Sequence, residues 1–282
     1  MQMNRAYRYL VTGVYLGLIS AIIGYWAVAL APQRFTTSNL LLYLGHGLGL
    51  VAVIVVLGEL LMMARVPLIE RGYSLDELTR IHRINGYVVL AAMTLHICLT
   101  TIGYQLTRGQ SFIGQLVYFS RNFEDVFQAL LGFTIFIAVT LSSVKLAKQK
   151  VSYEIWYFLH ILAYLAIVLT FGHQIHTGPD FIAHPWLVIA WYGLYGLYGL
   201  TAALIAWFRF AVPLLSLWRY ELRVHNIIMQ THDSYTVQIS GSKLQRFNYL
   251  PGQFAVWYFL SPKVWWQGHP FFNELHTKQQ HA

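Results

Sequence analysis

Six long apolar segments, separated by short polar connections, make up most of this chain. Each has the roughly 20 residues needed to cross the hydrocarbon core of a bilayer. Lipid offers no hydrogen-bond partner to a free backbone, so each segment is predicted to be helical. The predicted membrane helices are Tyr7–Leu30, Leu40–Met63, Ile81–Leu106, Val126–Leu146, Tyr153–Ile175 and Phe181–Phe208. The pattern therefore predicts an all-α bundle of six transmembrane helices.

The pattern changes after Phe208, where short β-prone runs alternate with turn-forming residues. Strands are predicted at Leu222–Met229, Tyr235–Ser240 and Gln253–Leu260, with a Pro-Gly turn before the third. Roughly 65 residues are few for an independent barrel. We therefore expect a transmembrane domain at 1–210 and an incomplete C-terminal domain of β-barrel type at 211–282.

Composition supports a multi-pass membrane protein in contact with lipid. The chain is 57% hydrophobic and only 11% charged, and its mean hydropathy is +0.50. Soluble domains carry about 25% charged residues. The formal net charge of +8 is attributed to basic residues retained on the cytoplasmic side, and no nucleic acid partner is expected.

The basic residues also predict the orientation. Connections on the side of the N-terminus hold eleven Lys and Arg residues, and those on the opposite side hold three. This bias places the N-terminus in the cytoplasm, and six crossings return the C-terminus there. Arg5 and Arg8 before the first segment also resemble a signal peptide, but the length of that segment favours a retained helix.

Four histidines in two membrane helices suggest the chemistry. His82 and His96 lie fourteen residues apart in the third segment, which is about 21 Å along a helix and on nearly the same face. His160 and His173 lie thirteen residues apart in the fifth segment, which runs in the same direction. His82 is therefore expected level with His160, and His96 level with His173. Two such pairs would bind two six-coordinate haems suited to electron transfer.

The thirteen-residue step fits this arrangement less well, because it turns an ideal helix by roughly 140°. His176 is a rival for the outer ligand, but its place at the membrane edge favours His173. A lone histidine inside a membrane is usually hydrogen-bonded to a neighbouring helix, and this is the expectation for His46. His176 and His184 are otherwise interpreted as solvated residues near the outer mouth.

Three further features of the membrane helices have less specific interpretations. Arg80 and Arg83 flank His82 and either pair with haem propionates or anchor the helix at the interface. Glu59, near the inner end of the second helix, is interpreted as a side chain that snorkels to the interface. The repeat YGLYGLYGL, at Tyr192–Leu200, is interpreted as a stripe of small residues for helix packing.

The paired histidines and their surroundings resemble the ferric reductase-like transmembrane domain shared by NADPH oxidases and metalloreductases. The similar stretches are "IHRINGYVVLAAMTLH" in the third helix and "YEIWYFLHILAY" in the fifth. Downstream, "YLPGQFAVWYF" is similar to a strand of that family's flavin domain. The motif of His269, Pro270 and Phe271 resembles its flavin-binding His-Pro-Phe motif. The resemblance covers nearly the whole chain to Phe271.

The resemblance implies two b-type haems, held by the four histidines, and FAD bound at the C-terminal motif. At position 272 the family has Ser or Thr, whereas this chain has Phe. The rest of the flavin domain and the NAD(P)H domain do not follow, so NAD(P)H is expected only through a missing domain or a partner. Residence in a bacterial inner membrane is also expected from the resemblance.

The leading functional hypothesis is an oxidoreductase that moves electrons from a cytoplasmic flavin or NAD(P)H donor to an external ferric chelate or dioxygen. One alternative is a haem subunit that receives electrons from quinol or a separate reductase. An alternative of another class is a haem-free transporter or proton channel that uses histidine relays. An inactive truncated product is the remaining alternative.

Overall fold

The computed structural model describes residues 5–29, 31, 34–144, 152–176, 185–232, 234–242, 254–262, 264 and 268–272. The helices are α1 (Arg5–Ala29), α2 (Thr37–Met63), α3 (Pro67–Glu70), α4 (Leu75–Arg108), α5 (Phe112–Asn122), α6 (Val126–Ser143), α7 (Tyr153–His176), α8 (Pro185–Ile205) and α9 (Val212–Tyr220), with a π-helical turn at Ala206–Ala211 between the last two. The strands are β1 (Arg223–Thr231), β2 (Ser234–Ser240), β3 (Phe254–Tyr258) and β4 (Gly268–Phe272). The described part of the chain divides into a helical unit that ends at Arg209 and a C-terminal unit that begins at Phe210.

The prediction of six membrane helices is confirmed. Six helical stretches among the described residues are long and apolar enough to cross a bilayer. The protein is therefore a multi-pass membrane protein. The third of these helices, α4, begins at Leu75, six residues before the predicted start at Ile81. Ser74 and Glu77 form a capping box there, so a polar turn extends the helix beyond the apolar pattern.

The helix α5 was not predicted. Ser111 caps its N-terminus by accepting a hydrogen bond from the backbone N–H of Gly114 at 3.1 Å. Its apolar residues Phe112, Leu116 and Phe119 recur at helical spacing, so the sequence does carry a signal for it. The helix has eleven residues and is too short to cross a bilayer. The prediction missed it because it relied on apolar segments of membrane-spanning length.

Close packing of α2 along α4 depends on small residues. The Ser38 hydroxyl donates to the backbone carbonyl of Gly103 at 2.7 Å, which joins the two helices directly. A Cβ added to Gly103 would lie 2.8 Å from the Leu42 side chain, and one added to Gly45 would lie 2.8 Å from Thr100. These distances are below van der Waals contact, so the two backbones could not approach this closely with larger residues.

The buried core lies midway along the bundle. Val55 and Val56 of α2 meet Val89 of α4, and partly buried side chains from α2, α4, α6, α7 and α8 pack against them. The packing side chains are Val51, Met93, Phe136, Ile167 and Tyr198. These residues form an apolar layer, called here the middle layer.

The interpretation of the Tyr192–Leu200 repeat as a glycine packing stripe was wrong for contacts within the described chain. A Cβ added to Gly193, Gly196 or Gly199 would meet nothing within 4 Å. The tyrosines make the contacts instead, because the Tyr198 hydroxyl donates to the Val53 carbonyl at 2.6 Å. The rings of Tyr195 and Tyr198 therefore face the bundle, whereas Tyr192 and the glycines are exposed.

The C-terminal unit contains two small antiparallel sheets, β1 with β2 and β3 with β4. Three of the strands correspond to the three predicted ones, with ends shifted by at most two residues. The fourth, β4, carries the His-Pro-Phe motif and pairs His269 with Trp257 and Phe271 with Ala255. The described strands do not form a closed barrel, and the Pro-Gly turn lies outside the described residues.

The packing of α6 on α7 generates a stability prediction. A Cβ added to Gly132 would lie 2.8 Å from the Ala166 carbonyl and 2.9 Å from the Thr170 methyl group. We expect Gly132→Val to lower the free energy of unfolding by about 1–3 kcal/mol through overpacking. Thermal unfolding in detergent would measure this. Gly13→Val is the matched control, since an added Cβ at Gly13 has open space, and an equal loss in both variants would contradict the prediction.

Candidate functional site

The first histidine pair, His82 of α4 and His160 of α7, lies near the N-terminal ends of the two helices. Their ring centres are 5.9 Å apart, and the rings are inclined by 73°. Metal–nitrogen bonds of about 2.0 Å to two opposed imidazoles would place the ring centres roughly 6 Å apart. The spacing of this pair is therefore compatible with one metal atom between the two rings. We call this depth the first level.

Each ring of the first pair is held through its Nδ1 atom. Nδ1 of His82 lies against a carboxylate oxygen of Glu59 on α2. Nδ1 of His160 lies 3.4 Å from the Ser143 hydroxyl. That hydroxyl donates to the Val139 carbonyl and accepts from Trp156, so it is an acceptor for His160 too. An acceptor beside each Nδ1 favours the tautomer with its proton on Nδ1, which leaves Nε2 as the ligating atom.

The second pair, His96 and His173, lines one cavity of about 280 Å³. We call this depth the second level. The cavity lies inside the helical unit, and its walls are mainly apolar and aromatic side chains from α1, α2 and α4–α8. Ligand pockets in proteins run from roughly 300 to 1,000 Å³, so this volume of about 280 Å³ lies just below that range. Val56, Met93, Phe136 and Ile167 of the middle layer also line the cavity.

The second pair is also supported from neighbouring backbone. Nδ1 of His96 donates to the Gly45 carbonyl on α2 at 2.8 Å. A Cβ added to Gly49, one turn further along α2, would lie 2.9 Å from the same Nδ1. The His173 imidazole interacts with the backbone of Thr170, one turn earlier on α7. Nε2 of His96 is thus free to act as a ligand from a ring that α2 holds in place.

Two further observations bear on whether haem fits these residues. The Tyr195 hydroxyl lines the cavity and is buried without a hydrogen-bond partner among the described residues. Asn85, one turn from His82, has a buried amide nitrogen in the same condition. A buried polar group without a partner costs free energy unless a ligand or water satisfies it. At the second level, the paired imidazoles, the apolar cavity walls and the Tyr195 hydroxyl fit a bis-histidine haem. At the first level, the ring spacing of the histidine pair and the buried Asn85 amide are compatible with one.

The other histidines take different places. His46 lines the cavity beside the second pair. His176, the rival ligand, is exposed at the end of α7, where its Nδ1 lies 2.7 Å from the Asp125 carboxylate. This position favours His173 over His176 as the residue that faces the cavity. His184 lies outside the described residues.

The remaining predicted site residues lie at two other places. Arg80 and Arg83 are exposed on α4, on either side of His82. In the C-terminal unit, the His269 ring lies 5.6 Å from the Phe259 ring, and Phe271 packs edge-on to Phe259. Nε2 of His269 is buried without a hydrogen-bond partner among the described residues. Pro270 lies between them in β4 and pairs with Val256.

The sequence interpretation missed two contributions to the site. Glu59 was interpreted as snorkelling, and that was wrong: its side chain is only 12% exposed and contacts His82. This contact depends on the packing of α2 against α4, which the sequence of either helix alone does not predict. The cavity wall formed by Leu116 and Phe119 was missed because α5 was missed.

Comparison with known proteins adds one finding. Residues 48–171 match the family model described as ferric reductase like transmembrane component. The match begins within α2, contains His82, His96 and His160, and ends two residues before His173. No match is found among curated proteins. Residues 48–171 are therefore similar to a ferric reductase-like transmembrane component, and this similarity suggests oxidoreductase activity and transmembrane electron transfer.

Proposed function

We propose that the chain is a transmembrane b-type cytochrome that moves electrons from a cytoplasmic flavin or NAD(P)H donor to an external acceptor. His82 and His160 would hold one haem, and His96 and His173 a second. Bound haem supplies a one-electron carrier at each level. The observation that carries the proposal is the pairing of histidines at two depths, with Nδ1 of three of them turned to a partner.

The chain's own residues would orient the ligands and exclude water. The supports at Nδ1 fix the ring orientation and raise the basicity of Nε2. Two neutral imidazoles leave no open coordination position, which suits electron transfer. Arg80 and Arg83, exposed on either side of His82, would pair with the propionates of a haem at the first level. With the N-terminus in the cytoplasm, the first level faces the donor and the second level faces the acceptor, a ferric chelate or dioxygen.

The middle layer argues against a histidine proton relay. Val55, Val56 and Val89 are buried between the two levels. On α4, Val89 stands seven residues from both His82 and His96. These side chains have no group that accepts or donates a proton, whereas an electron needs no such group. These three valines therefore favour electron transfer over a proton channel.

Haem content tests the ligands. We expect about two low-spin b haems per chain in the wild type and about one in His96→Ala or His173→Ala, because either change removes one of two axial ligands. A reduced-minus-oxidised spectrum with a haem-to-protein ratio measures this. His176→Ala, on the same helix as His173, is the control and should keep both haems. A colourless wild-type protein, or full haem content in His96→Ala, would refute the proposal.

The close contact of Gly49 with His96 generates a second prediction. Gly49→Ala should displace the His96 ring and lower the content of the second haem, with the first haem retained. The same spectrum, read as haem per chain, measures the loss. Gly17→Ala is the control, because a Cβ there would meet nothing within 4 Å. Unchanged spectra in Gly49→Ala would show that the ring does not depend on this contact.

The C-terminal unit generates a prediction about the donor. We propose that His269, Pro270 and Phe271 contribute to binding FAD, supported by the buried and unpartnered Nε2 of His269. Flavin released from the purified protein should be detected by fluorescence, and His269→Ala should lower it several-fold. His225→Ala, an exposed histidine of β1, is the control. A flavin-free wild type would instead assign the donor to a separate reductase.

A further inference from the structure

One helix, α2, supports a histidine at both levels. Glu59 of α2 contacts His82, and the Gly45 carbonyl of α2 accepts from His96. The two supports are fourteen residues apart, as are the two histidines on α4. Because α2 and α4 are adjacent membrane helices that run in opposite directions, equal spacing brings each support level with its histidine.

The two supports differ in charge. At the second level, His96 donates to a neutral backbone carbonyl. At the first level, His82 meets a carboxylate that is 12% exposed, and this is the only ion pair of Glu59 among the described residues. The other support at the first level, the Ser143 hydroxyl, is neutral. Near the second level, the Asp125 carboxylate lies beside Gly172, but it contacts His176, with 2.7 Å between that carboxylate and Nδ1 of His176. The asymmetry between the levels is therefore the acidic side chain of Glu59 in direct contact with one of the four paired histidines.

A buried acid inside a membrane helix is costly and usually functional. A carboxylate that accepts from Nδ1 of a ligating histidine makes the other nitrogen a stronger donor. A stronger donor and a nearby negative charge both favour the more positive, oxidised state of a bound iron. In the low dielectric of the bundle this electrostatic effect is larger than at a surface.

We propose that Glu59 is a positioning residue that lowers the reduction potential of the haem at the first level below that of the haem at the second. The inference rests on the proposed function and adds a direction to it. In this transfer, the haem at the first level loses one electron and the haem at the second level gains it. No covalent bond is made or broken, and no proton is transferred. Transfer from the first level to the second then runs downhill.

Redox titration of the purified haem protein tests this inference. In Glu59→Gln, the lower of the two potentials should rise while both haems remain bound. We expect the equilibrium constant for transfer between the levels to fall about tenfold, which corresponds to about 59 mV for one electron. Glu154→Gln is the matched control, because it removes an exposed glutamate from the first turn of α7, and it should leave both potentials unchanged.

Two further variants extend the test. One shows which haem changes its potential, and the other tests the inference even if Glu59→Gln does not fold. In a His96→Ala background the remaining haem is that of the first level, and adding Glu59→Gln should raise its potential. Ser143→Asp works in the opposite direction, because it adds a carboxylate beside Nδ1 of His160 and should lower the lower potential further.

The outcomes separate the inference from the proposed function. A wild type with two haems whose potentials do not move in Glu59→Gln would overturn the inference and leave the proposed function standing. The same holds if Glu59→Gln fails to fold and Ser143→Asp leaves the lower potential unchanged. A wild type without haem would overturn the proposed function itself.

Discussion

The close antiparallel packing of α2 against α4 is the constraint on which the site depends. Gly45 and Gly103 allow the two backbones to approach, and the hydrogen bond from Ser38 to Gly103 joins them. Only at this separation can the His96 ring reach a helical carbonyl on α2, and only with this register does Glu59 meet His82. The same contacts that hold the two helices together therefore also orient the histidines of one of them.

The second pair of helices, α6 and α7, completes each level in a different way. The glycine at position 132 lets α7 lie close to α6, and Ser143 at the end of α6 supports His160. The thirteen-residue step on α7 looked awkward for an ideal helix. Nevertheless, His160 stands beside His82, and His173 opens into the cavity that His96 lines. At the first level the two histidine rings contact each other, whereas at the second level the two histidines line a cavity.

The valines of the middle layer place hydrocarbon between these levels. These valines occupy the positions about halfway between the histidines, and so they fill the bundle where a polar residue would give water or protons a path. An apolar layer also keeps the dielectric low, so a single carboxylate at one level has a strong local effect. The asymmetry between Glu59 and the Gly45 carbonyl matters for this reason.

Several features followed from the sequence alone. Apolar length predicted the six membrane helices, because the bilayer imposes a minimum span and forbids free backbone polar groups. Helical rise placed the histidines at two depths, since distance along one helix depends only on residue number. Tertiary structure alone decided what depends on neighbouring helices. It brought Glu59 to His82, turned Tyr195 and Tyr198 of α8 inward and the glycines of α8 outward, and placed α5 against the cavity. A pattern within one helix gives its spacing and faces, but the partner that meets each face is set by packing across the bundle.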